Sequence, residues 1–434
     1  MITAAAFAGK HYAVYGLARS GLATVEALMA SGAKVTAWDG KEEARANAPA
    51  GVEIADLDTV DLGQFDSIVV TPGLPLNRHP IAHRSRDAGV EIIGDIELFA
   101  RARPELPPHK VVGITGTNGK STTTALVHHI LKTAGVPSLM GGNIGLPILS
   151  QDPLPEGGVY VLELSSYQID LTQSLDCDVA VLLNITPDHL DRYDGFEAYV
   201  ASKERLFEMQ SLGHFAFFDC VDPVARAVGD RIEERRAQQD VIFQDCDDLY
   251  SVDRGMPEWP ALKGLHNASN ANSAINVTTT LGIEESVIER GLRTFPGLPH
   301  RMELVQVKSG IKFVNDSKAT NSEAAAPALA AYPKVRWIVG GQAKGETLGD
   351  AADQLDHVVA AYTIGEAGPM FARLLRDAGV TVIECETLEN AVKRAAKDSQ
   401  PGETVLLSPA SASFDQFKDF EARGDKFRDL VGAL

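Results

Sequence analysis

Short apolar runs alternate along this chain with longer segments of mixed polarity. Each run ends near glycine, proline or a polar residue, a pattern that predicts buried strands. The segments between the runs predict helices, for example at 23–30 and 123–131. Because strands and helices alternate, we expect an α/β fold with mainly parallel sheets. The predicted strands are 11–15, 34–38, 67–71, 90–93, 111–114, 159–164, 179–184, 215–218, 313–314, 335–339, 360–364, 380–383 and 405–407.

Two breaks rich in proline or glycine divide this pattern, at 103–108 and at 297–299. They predict three domains, which comprise residues 1–98, 99–296 and 297–434. A length of 434 residues agrees with two or three domains, since domains average about 100–200 residues.

The segment with the most specific chemistry begins at Val111 and reads VVGITGTNGKST. A predicted strand leads into a glycine-rich loop, and a predicted helix follows. Glycines let successive N–H groups face one phosphate, the lysine adds positive charge, and the serine hydroxyl can bind Mg²⁺. Ile114 stands where the usual pattern has glycine. The order of strand, Gly-Lys-Ser-Thr and helix still favours a nucleoside triphosphate site over an ordinary turn.

The first domain carries a weaker nucleotide signal. Gly16-x-Ala18-x-x-Gly21 follows a predicted strand, and Asp39 ends the next one, as in dinucleotide-binding folds. Ala18 replaces the glycine that lets the backbone approach a pyrophosphate. Three interpretations therefore stay open: a dinucleotide site, a non-redox site for a diphosphate, or an ordinary tight turn. Thr71-Pro72-Gly73 ends another strand and is expected to line the same crevice.

Polar residues also follow strands of the central domain. Glu163 comes at the end of the run 159–162, where a carboxylate can hold Mg²⁺ beside phosphates. The segment 184–191 places His189 among acidic residues, which favours a metal role over a structural one. Lys203 lies on a predicted helix, where a solvated lysine is the ordinary interpretation.

Three polar segments of the last domain predict a second anion-binding surface. They are the basic pair at 300–301, the donor-rich stretch 315–321 and the glycine-rich strand exit 340–345. A serine-rich turn at 408–413 also follows a strand, and its hydroxyls and N–H groups are suited to a carboxylate. Phenylalanines then recur at roughly helical spacing, which is typical of a core-facing stripe; they are Phe414, Phe417, Phe420 and Phe427.

Composition narrows the class of protein. A formal net charge of −19 argues against nucleic acid and anionic membranes as partners. The 4 cysteines have no metal-binding or redox spacing. The chain has neither a signal-peptide pattern nor the apolar run of about 20 residues that spans a bilayer. We therefore expect a soluble cytoplasmic protein that does not insert into membranes.

Together these segments resemble the Mur ligase family, ATP-dependent enzymes that form amide bonds in peptidoglycan precursors. The resemblance covers essentially the whole chain in matching order. It implies a Rossmann-like N-terminal domain that binds UDP, a central P-loop ATPase-like domain and a C-terminal Rossmann-like α/β domain. The segments that carry it are 115–122, 163–168, 184–193, 266–271, 300–301 and 315–321.

The segment 408–417, with 420–424 and 71–73, is similar to family members that add D-glutamate to UDP-N-acetylmuramoyl-L-alanine (UDP-MurNAc-L-Ala). This implies an ATP-dependent ligase that acts through an acyl phosphate, with small-molecule substrates only and as a monomer. The segment 340–344 departs from the expected pattern, which has an acidic residue near Gln342. The alternatives are a related ligase for another amino acid, a folylpolyglutamate-type ligase, or a nucleotide-binding regulator or dehydrogenase.

The resemblance also implies roles for individual residues. Catalytic roles are expected for Lys120, His189, Lys203 and Lys318. ATP is expected to contact Gly116, Thr117, Asn118, Gly119, Lys120, Ser121, Thr122, Asn270, Arg301 and Asp316. Two Mg²⁺ sites are expected, with ligands from Ser121, Glu163, His189 and Lys203, the last as a carbamate made from CO₂. The other substrates are expected to contact Gly16, Asp39, Thr71, Pro72, Gly73, Asn143, Thr320, Lys344, Ser413 and Phe420.

Overall fold

The computed structural model describes residues 1–237, 240–244, 259, 261–262, 264–343 and 345–434. The chain forms two compact units. The first comprises Met1–Asp253 and Ser269–Leu292, and the second comprises Arg254–Ala268 and Arg293–Leu434. Among the helices in these described ranges, none is both long and apolar enough to cross a membrane.

The first unit opens with a parallel five-stranded sheet in the order β3-β2-β1-β4-β5. Its strands are β1 (His11–Tyr15), β2 (Lys34–Trp38), β3 (Glu53–Ile54), β4 (Ser67–Val70) and β5 (Glu91–Ile93). Tyr15 pairs with Trp38 and Val70, so the carboxyl ends of β1, β2 and β4 lie side by side. The accompanying helices are α1 (Arg19–Ala30), α2 (Glu42–Ala46), α3 (Pro80–Ala88) and α4 (Asp95–Ala102).

A second parallel sheet in this unit has six strands in the order β11-β10-β9-β6-β8-β7. They are β6 (His109–Thr115), β7 (Ser138–Gly142), β8 (Gly158–Glu163), β9 (Val179–Leu182), β10 (Phe215–Asp219) and β11 (Val241–Gln244). Strand β6 lies between β8 and β9, which places its exit loop at the centre of the sheet. The helices are α5 (Lys120–Thr133), α6 (Ser166–Asp170), α7 (Phe196–Glu208), α8 (Pro223–Arg235), α9 (Leu265–Thr280) and α10 (Glu285–Thr294), of which α9 before residue 269 and α10 after residue 292 belong to the second unit.

The second unit contains a mixed six-stranded sheet in the order β12-β13-β17-β14-β15-β16. Strand β12 runs antiparallel to β13, and the remaining pairs are parallel. The strands are β12 (Glu303–Lys308), β13 (Ile311–Asn315), β14 (Val335–Gly340), β15 (Val358–Ile364), β16 (Val382–Glu386) and β17 (Thr404–Leu407). The helices are α11 (Ser322–Ala330), α12 (Gly368–Asp377), α13 (Leu388–Asp398) and α14 (Phe420–Gly432), with a 3₁₀ segment at Gly349–His357.

The central strands are buried along most of their length, as expected where helices cover both faces of a sheet. Every residue of β4, β9 and β14 is buried. The covering helices are amphipathic: α13 buries Leu388, Ala391, Val392 and Ala395, one face at helical spacing. Thr387 caps this helix because its hydroxyl accepts a hydrogen bond from the N–H of Asn390.

Every predicted strand is present, with ends shifted by up to three residues. Four further strands were missed: β3, β7, β11 and β12. Strand β3 has only 2 residues, and in β12, at the sheet edge, polar residues interrupt the apolar ones, so neither forms an apolar run. The proposed aromatic stripe was wrong in part. Phe427 is buried in α14, but Phe414 precedes that helix and is 69% exposed.

The glycine that ends the dinucleotide-like pattern sets the packing of α1 on β1. A Cβ atom on Gly21 would lie 1.8 Å from the carbonyl oxygen of Gly16. We therefore expect Gly21→Ala to lower the free energy of unfolding by about 1–3 kcal/mol, although alanine is the better helix former. Urea denaturation measures the change.

The matched control for this substitution is Gly40→Ala. A Cβ at Gly40 would meet no atom within 4 Å, so its unfolding midpoint is expected to stay within experimental error of the parent. Equal midpoints for the two variants would contradict the packing account.

Candidate active site

The loop between β6 and α5, residues 115–122, is hereafter the phosphate loop. Gly116 and Gly119 adopt φ angles of 150° and 85°, and α5 begins directly after Gly119. A Cβ on Gly119 would lie 2.2 Å from Oδ1 of Asn270, so only glycine fits there. The first N–H groups of α5 have no acceptors within the helix and carry its positive dipole end. The loop is therefore built to receive an anion.

Two lysine side chains meet at this loop. The Nζ of Lys120 donates to the carbonyl oxygens of Gly116 at 2.9 Å and Thr117 at 2.8 Å. The Nζ of Lys203, which is 1% exposed, donates to the same Gly116 oxygen at 2.8 Å. Burial lowers the pKa of Lys203 well below its usual value, and the charge of Lys120 lowers it further. An anion in the loop would relieve this repulsion.

Glu163 ends β8 beside the phosphate loop, in register with Ile114 of β6. Its Oε1 accepts a hydrogen bond from Nδ2 of Asn143 at 2.9 Å, and its carbonyl accepts one from the N–H of Asn143 at 2.8 Å. Its Oε2 is buried and has no hydrogen-bond partner among the described residues. Burying a carboxylate oxygen costs free energy unless a hydrogen-bond donor or a cation pairs with it. Oε2 of Glu163 is therefore suited to bind a cation.

The hydroxyl-bearing residue Ser121 lies buried in the first turn of α5. The described part of the chain contains no group of three or more His, Cys, Asp or Glu residues that could hold a metal. Mg²⁺ needs only one or two protein ligands when phosphates complete its coordination. Ser121 and Glu163 therefore fit Mg²⁺ in the presence of a nucleotide.

The loop after β9, residues 184–194, is tied to the phosphate loop and is hereafter the His189 loop. The N–H groups of Thr117 and Asn118 donate to the carbonyl and Oδ1 of Asn184, both at 2.8 Å. The Thr117 hydroxyl donates to the carbonyl of Thr186 at 3.1 Å. His189 has a φ of 53°, and its ring lies 5.0 Å from that of Tyr167. Sequence analysis placed His189 correctly in a polar loop but did not indicate this backbone strain.

Three residues predicted to contact substrate, Gly16, Asp39 and Thr71, lie together at the carboxyl ends of β1, β2 and β4. Gly16 has a φ of 100°, and a Cβ there would lie 2.4 Å from Oγ1 of Thr71. Asp39 accepts hydrogen bonds from the N–H groups of Leu17 at 2.8 Å and Lys41 at 2.9 Å. The Asp39 carboxylate thus fixes the turn after β1.

In the second unit, Asp316 is buried at the end of β13. Its oxygens accept hydrogen bonds from the N–H of Met302 at 3.1 Å and the hydroxyl of Ser408 at 2.8 Å. Burial raises the pKa of Asp316 to about 7, and the positive charge of Arg301 opposes this rise. The Nζ of Lys318 lies 5.5 Å from the ring centroid of Phe420.

A fully buried arginine, whose part in this region sequence analysis missed, organises these residues. Arg423 donates to the carbonyls of Ser317 at 2.9 Å, Ser411 at 3.0 Å and Ala412 at 3.2 Å. It holds the serine-rich turn, which includes the buried Ser413, against the segment before Lys318. The sequence could have indicated that Arg423 is buried, because it lies one helical turn before Phe427, which is also buried.

The predicted site residues therefore form clusters within each unit. The first unit brings the phosphate loop together with Asn143, Glu163, Lys203 and Asn270, and ties the His189 loop to it. The second unit groups Arg301 and Asp316, with Lys318 and Phe420 close to the serine-rich turn. Thr320 is partly buried in the same segment, and Lys344 lies outside the described residues.

A search for cavities alone would have selected a place other than the phosphate loop. A cavity of about 650 Å³ lies in the first unit, lined by residues that include Pro72, Tyr167, Arg192 and Arg205. Neither Lys120 nor Glu163 is part of its lining. The chemistry of the phosphate loop, rather than the volume of a cavity, identifies the candidate site.

A glycine-rich phosphate loop at the carboxyl end of a parallel strand, with a buried acid at the end of the neighbouring strand, defines a P-loop nucleotide-binding protein. Three family models match it in order: the Mur ligase MurD-like N-terminal domain over residues 10–94, the Mur ligase middle domain over 114–254 and the Mur ligase glutamate ligase domain over 300–411. The chain belongs to the Mur ligase family. The predicted family resemblance and the predicted fold class are confirmed.

Relatives match over the full length. UDP-N-acetylmuramoylalanine--D-glutamate ligase of Novosphingobium aromaticivorans is 58% identical, over 100% of this chain and 97% of the relative. The enzymes of that name from Sphingopyxis alaskensis and Zymomonas mobilis are 59% and 53% identical, over 100% of both chains in each case.

Solved structures agree in fold. MurF from Acinetobacter baumannii superposes with a TM-score of 0.59 at 17% identity, covering 98% of this chain and 91% of that one. MurC from Thermotoga maritima gives a TM-score of 0.58 at 16% identity, covering 98% and 99%. At this identity the likeness concerns the fold alone.

The buried Asp316 makes stability depend on pH in a defined direction. Its folded pKa of about 7 lies above the unfolded value near 4, so the folded chain binds more protons between these values. Stability contributed by this group is therefore present at low pH and lost as pH rises from about 4 to about 7. We expect the thermal unfolding midpoint of Asp316→Asn to fall less over this range than that of the parent. Parallel pH profiles would contradict the assignment.

Proposed function

We propose that this protein is an ATP-dependent ligase that adds D-glutamate to UDP-MurNAc-L-Ala. The observation that carries the proposal is the phosphate loop, where Lys120 and Lys203 meet at the Gly116 carbonyl beside the buried, unpartnered Oε2 of Glu163. Membership of the Mur ligase family and full-length relatives at 53–59% identity that bear this ligase name support it.

The reaction requires activation because a carboxylate is a poor electrophile. Transfer of the γ-phosphoryl group of ATP to the alanyl carboxylate gives an acyl phosphate and ADP. The amine of D-glutamate then attacks the acyl carbon, a proton is lost from nitrogen, and phosphate leaves as the amide forms. The phosphate-loop amides and Lys120 offset the charge of the transferring phosphoryl group and the approaching carboxylate.

The same geometry supports the proposed metal ligands. Ser121 and Glu163 would hold one Mg²⁺, and Asn143 fixes the Glu163 carboxylate from the other side. His189 and Lys203 would serve a second site. When bound there, Mg²⁺ would neutralise phosphate charge during phosphoryl transfer.

Lys203 is suited to carbamate formation. Its buried environment lowers its pKa and so increases the share of neutral amine. The neutral amine attacks CO₂, a C–N bond forms and one proton is released, which leaves an anionic carbamate. This change converts a group that repels cations into an oxygen ligand.

The other predicted site residues are assigned to the UDP-linked substrate, to D-glutamate and to the nucleotide. The turn at Gly16, Asp39 and the 71–73 segment, with Asn143, receives the UDP-linked substrate, since it lies at the carboxyl ends of parallel strands. Lys318, Thr320, Lys344, Ser413 and Phe420 receive D-glutamate, and Asn270, Arg301 and Asp316 contact the nucleotide. The three domains are bounded near residues 98 and 296. We infer a cytoplasmic monomer that binds neither nucleic acid nor membrane.

Phosphate release tests this function directly. With ATP, Mg²⁺ and UDP-MurNAc-L-Ala present, we expect release to depend on D-glutamate. L-Glutamate, L-alanine and meso-diaminopimelate should each give less than about a tenth of that rate, because sites that pair with specific polar groups discriminate strongly. Equal or faster phosphate release with another amino acid would identify that amino acid, rather than D-glutamate, as the substrate.

The control for this assay is Lys120→Ala. Loss of charge stabilisation in the transition state is expected to slow release at least 100-fold, consistent with the size of such effects (about 10²–10³). Circular dichroism verifies that the variant is folded. Near-normal turnover by the folded variant would contradict the role of the phosphate loop.

The carbamate proposal predicts chemical rescue. Lys203→Ala is expected to be slowed by more than about tenfold, and short-chain carboxylates such as acetate are expected to restore part of the rate by supplying the missing oxygen ligand. The matched control is Lys393→Ala, which removes a lysine that is 63% exposed in its side chain and should need no rescue. Full activity of Lys203→Ala without acetate would exclude the carbamate role.

A further inference from the structure

Arg192, in the His189 loop, joins that loop to the turn after β4. Its guanidinium group donates to three consecutive carbonyl oxygens, those of Pro72 at 3.4 Å, Gly73 at 3.2 Å and Leu74 at 2.8 Å. The same group lies 4.3 Å above the ring of Tyr167. One planar cation therefore fixes the orientation of successive peptide groups in the 71–74 turn.

Peptide planarity carries this effect to the opposite side of the turn. In a trans peptide the C=O and N–H bonds point in opposite directions, so the Pro72 carbonyl on Arg192 directs the N–H of Gly73 away from it. Gly73 is exposed, and a Cβ there would meet no atom within 4 Å. The N–H of Gly73 therefore faces the side of the turn opposite Arg192, where an anionic diphosphate group can accept a hydrogen bond from it.

Arg192 also supports the strained backbone of His189. The N–H of Arg192 donates to the carbonyl of His189 at 2.9 Å, and the His189 N–H donates to Oδ1 of Asp188 at 2.8 Å. The His189 ring contacts the same Tyr167 ring that Arg192 covers. A non-glycine residue with a positive φ persists only when its surroundings hold it. The backbone N–H of Arg192 holds the His189 carbonyl directly, and its side chain acts on the His189 ring only through Tyr167.

We infer that Arg192 is a positioning residue that couples the turn for the UDP-linked substrate to the His189 loop. It does not contact reacting atoms; it orients the Gly73 N–H on one side and His189 on the other. The inference rests on the proposed function and goes beyond it, because it names the group that aligns two sites carried by different sheets. Loss of Arg192 should weaken binding of the UDP portion specifically.

A neighbouring arginine provides a matched control. Arg78 donates to the carbonyl of Asp191 at 2.8 Å, so it also links these two loops, but it is exposed and its guanidinium group does not donate to the carbonyls of residues 72–74. Arg78→Ala removes the same charge from the same pair of loops. It leaves the orientation of the 71–74 turn unchanged.

The test measures KM for each substrate, and the affinity for UDP alone by calorimetry, in Arg192→Ala, Arg192→Lys and Arg78→Ala. We expect both Arg192 variants to raise KM for UDP-MurNAc-L-Ala and Kd for UDP at least tenfold, with KM for ATP and D-glutamate within twofold. Arg192→Lys should not restore the affinity for UDP, since an ammonium group cannot reproduce the planar set of donors. Arg78→Ala should stay within twofold for every quantity.

Several results would overturn this inference. They are UDP affinity within threefold of the parent in both Arg192 variants, an equal loss in Arg78→Ala, a uniform rise of all three KM values, or failure of both Arg192 variants to fold. UDP binding does not depend on turnover. An unchanged UDP affinity therefore rejects the role of Arg192, whereas absence of D-glutamate-dependent phosphate release in the parent rejects the proposed function.

Discussion

The carbonyl oxygen of Gly116 is the point on which the candidate site depends. It accepts hydrogen bonds from both Lys120 and Lys203, and it can do so because Gly116 and Gly119 adopt backbone angles that other residues avoid. Two basic side chains held this close destabilise each other. The arrangement is favourable when an anion occupies the loop. The positions of the two lysine side chains therefore fit an anionic ligand.

The parallel sheets determine which side chains can reach this point. Strands β8 and β9 flank β6, so Glu163 and the His189 loop both emerge beside the phosphate loop. The first sheet follows the same rule, because β2 and β4 flank β1 and bring Asp39 and Thr71 to Gly16. Ligand sites at the carboxyl ends of strands are thus a consequence of strand order. The loops supply the chemistry.

Sequence analysis predicted the features that depend on local pattern. Apolar runs located the central strands, and the spacing of Gly116, Gly119 and Lys120 located the phosphate loop. It missed β12, in which polar residues interrupt the apolar ones. It also missed the roles of Arg192 and Arg423, whose partners lie up to 120 and 106 residues away in sequence. Such contacts exist only after folding, and no local pattern encodes them.

The most direct test of the account is a crystal structure with a non-hydrolysable ATP analogue and Mg²⁺. The account predicts terminal phosphate oxygens within hydrogen-bond distance of the N–H groups of residues 116–122 and of the Lys120 Nζ. It also predicts Mg²⁺ about 2.1 Å from Oε2 of Glu163. A nucleotide bound elsewhere, with the phosphate loop empty and Glu163 still unpartnered, would contradict it.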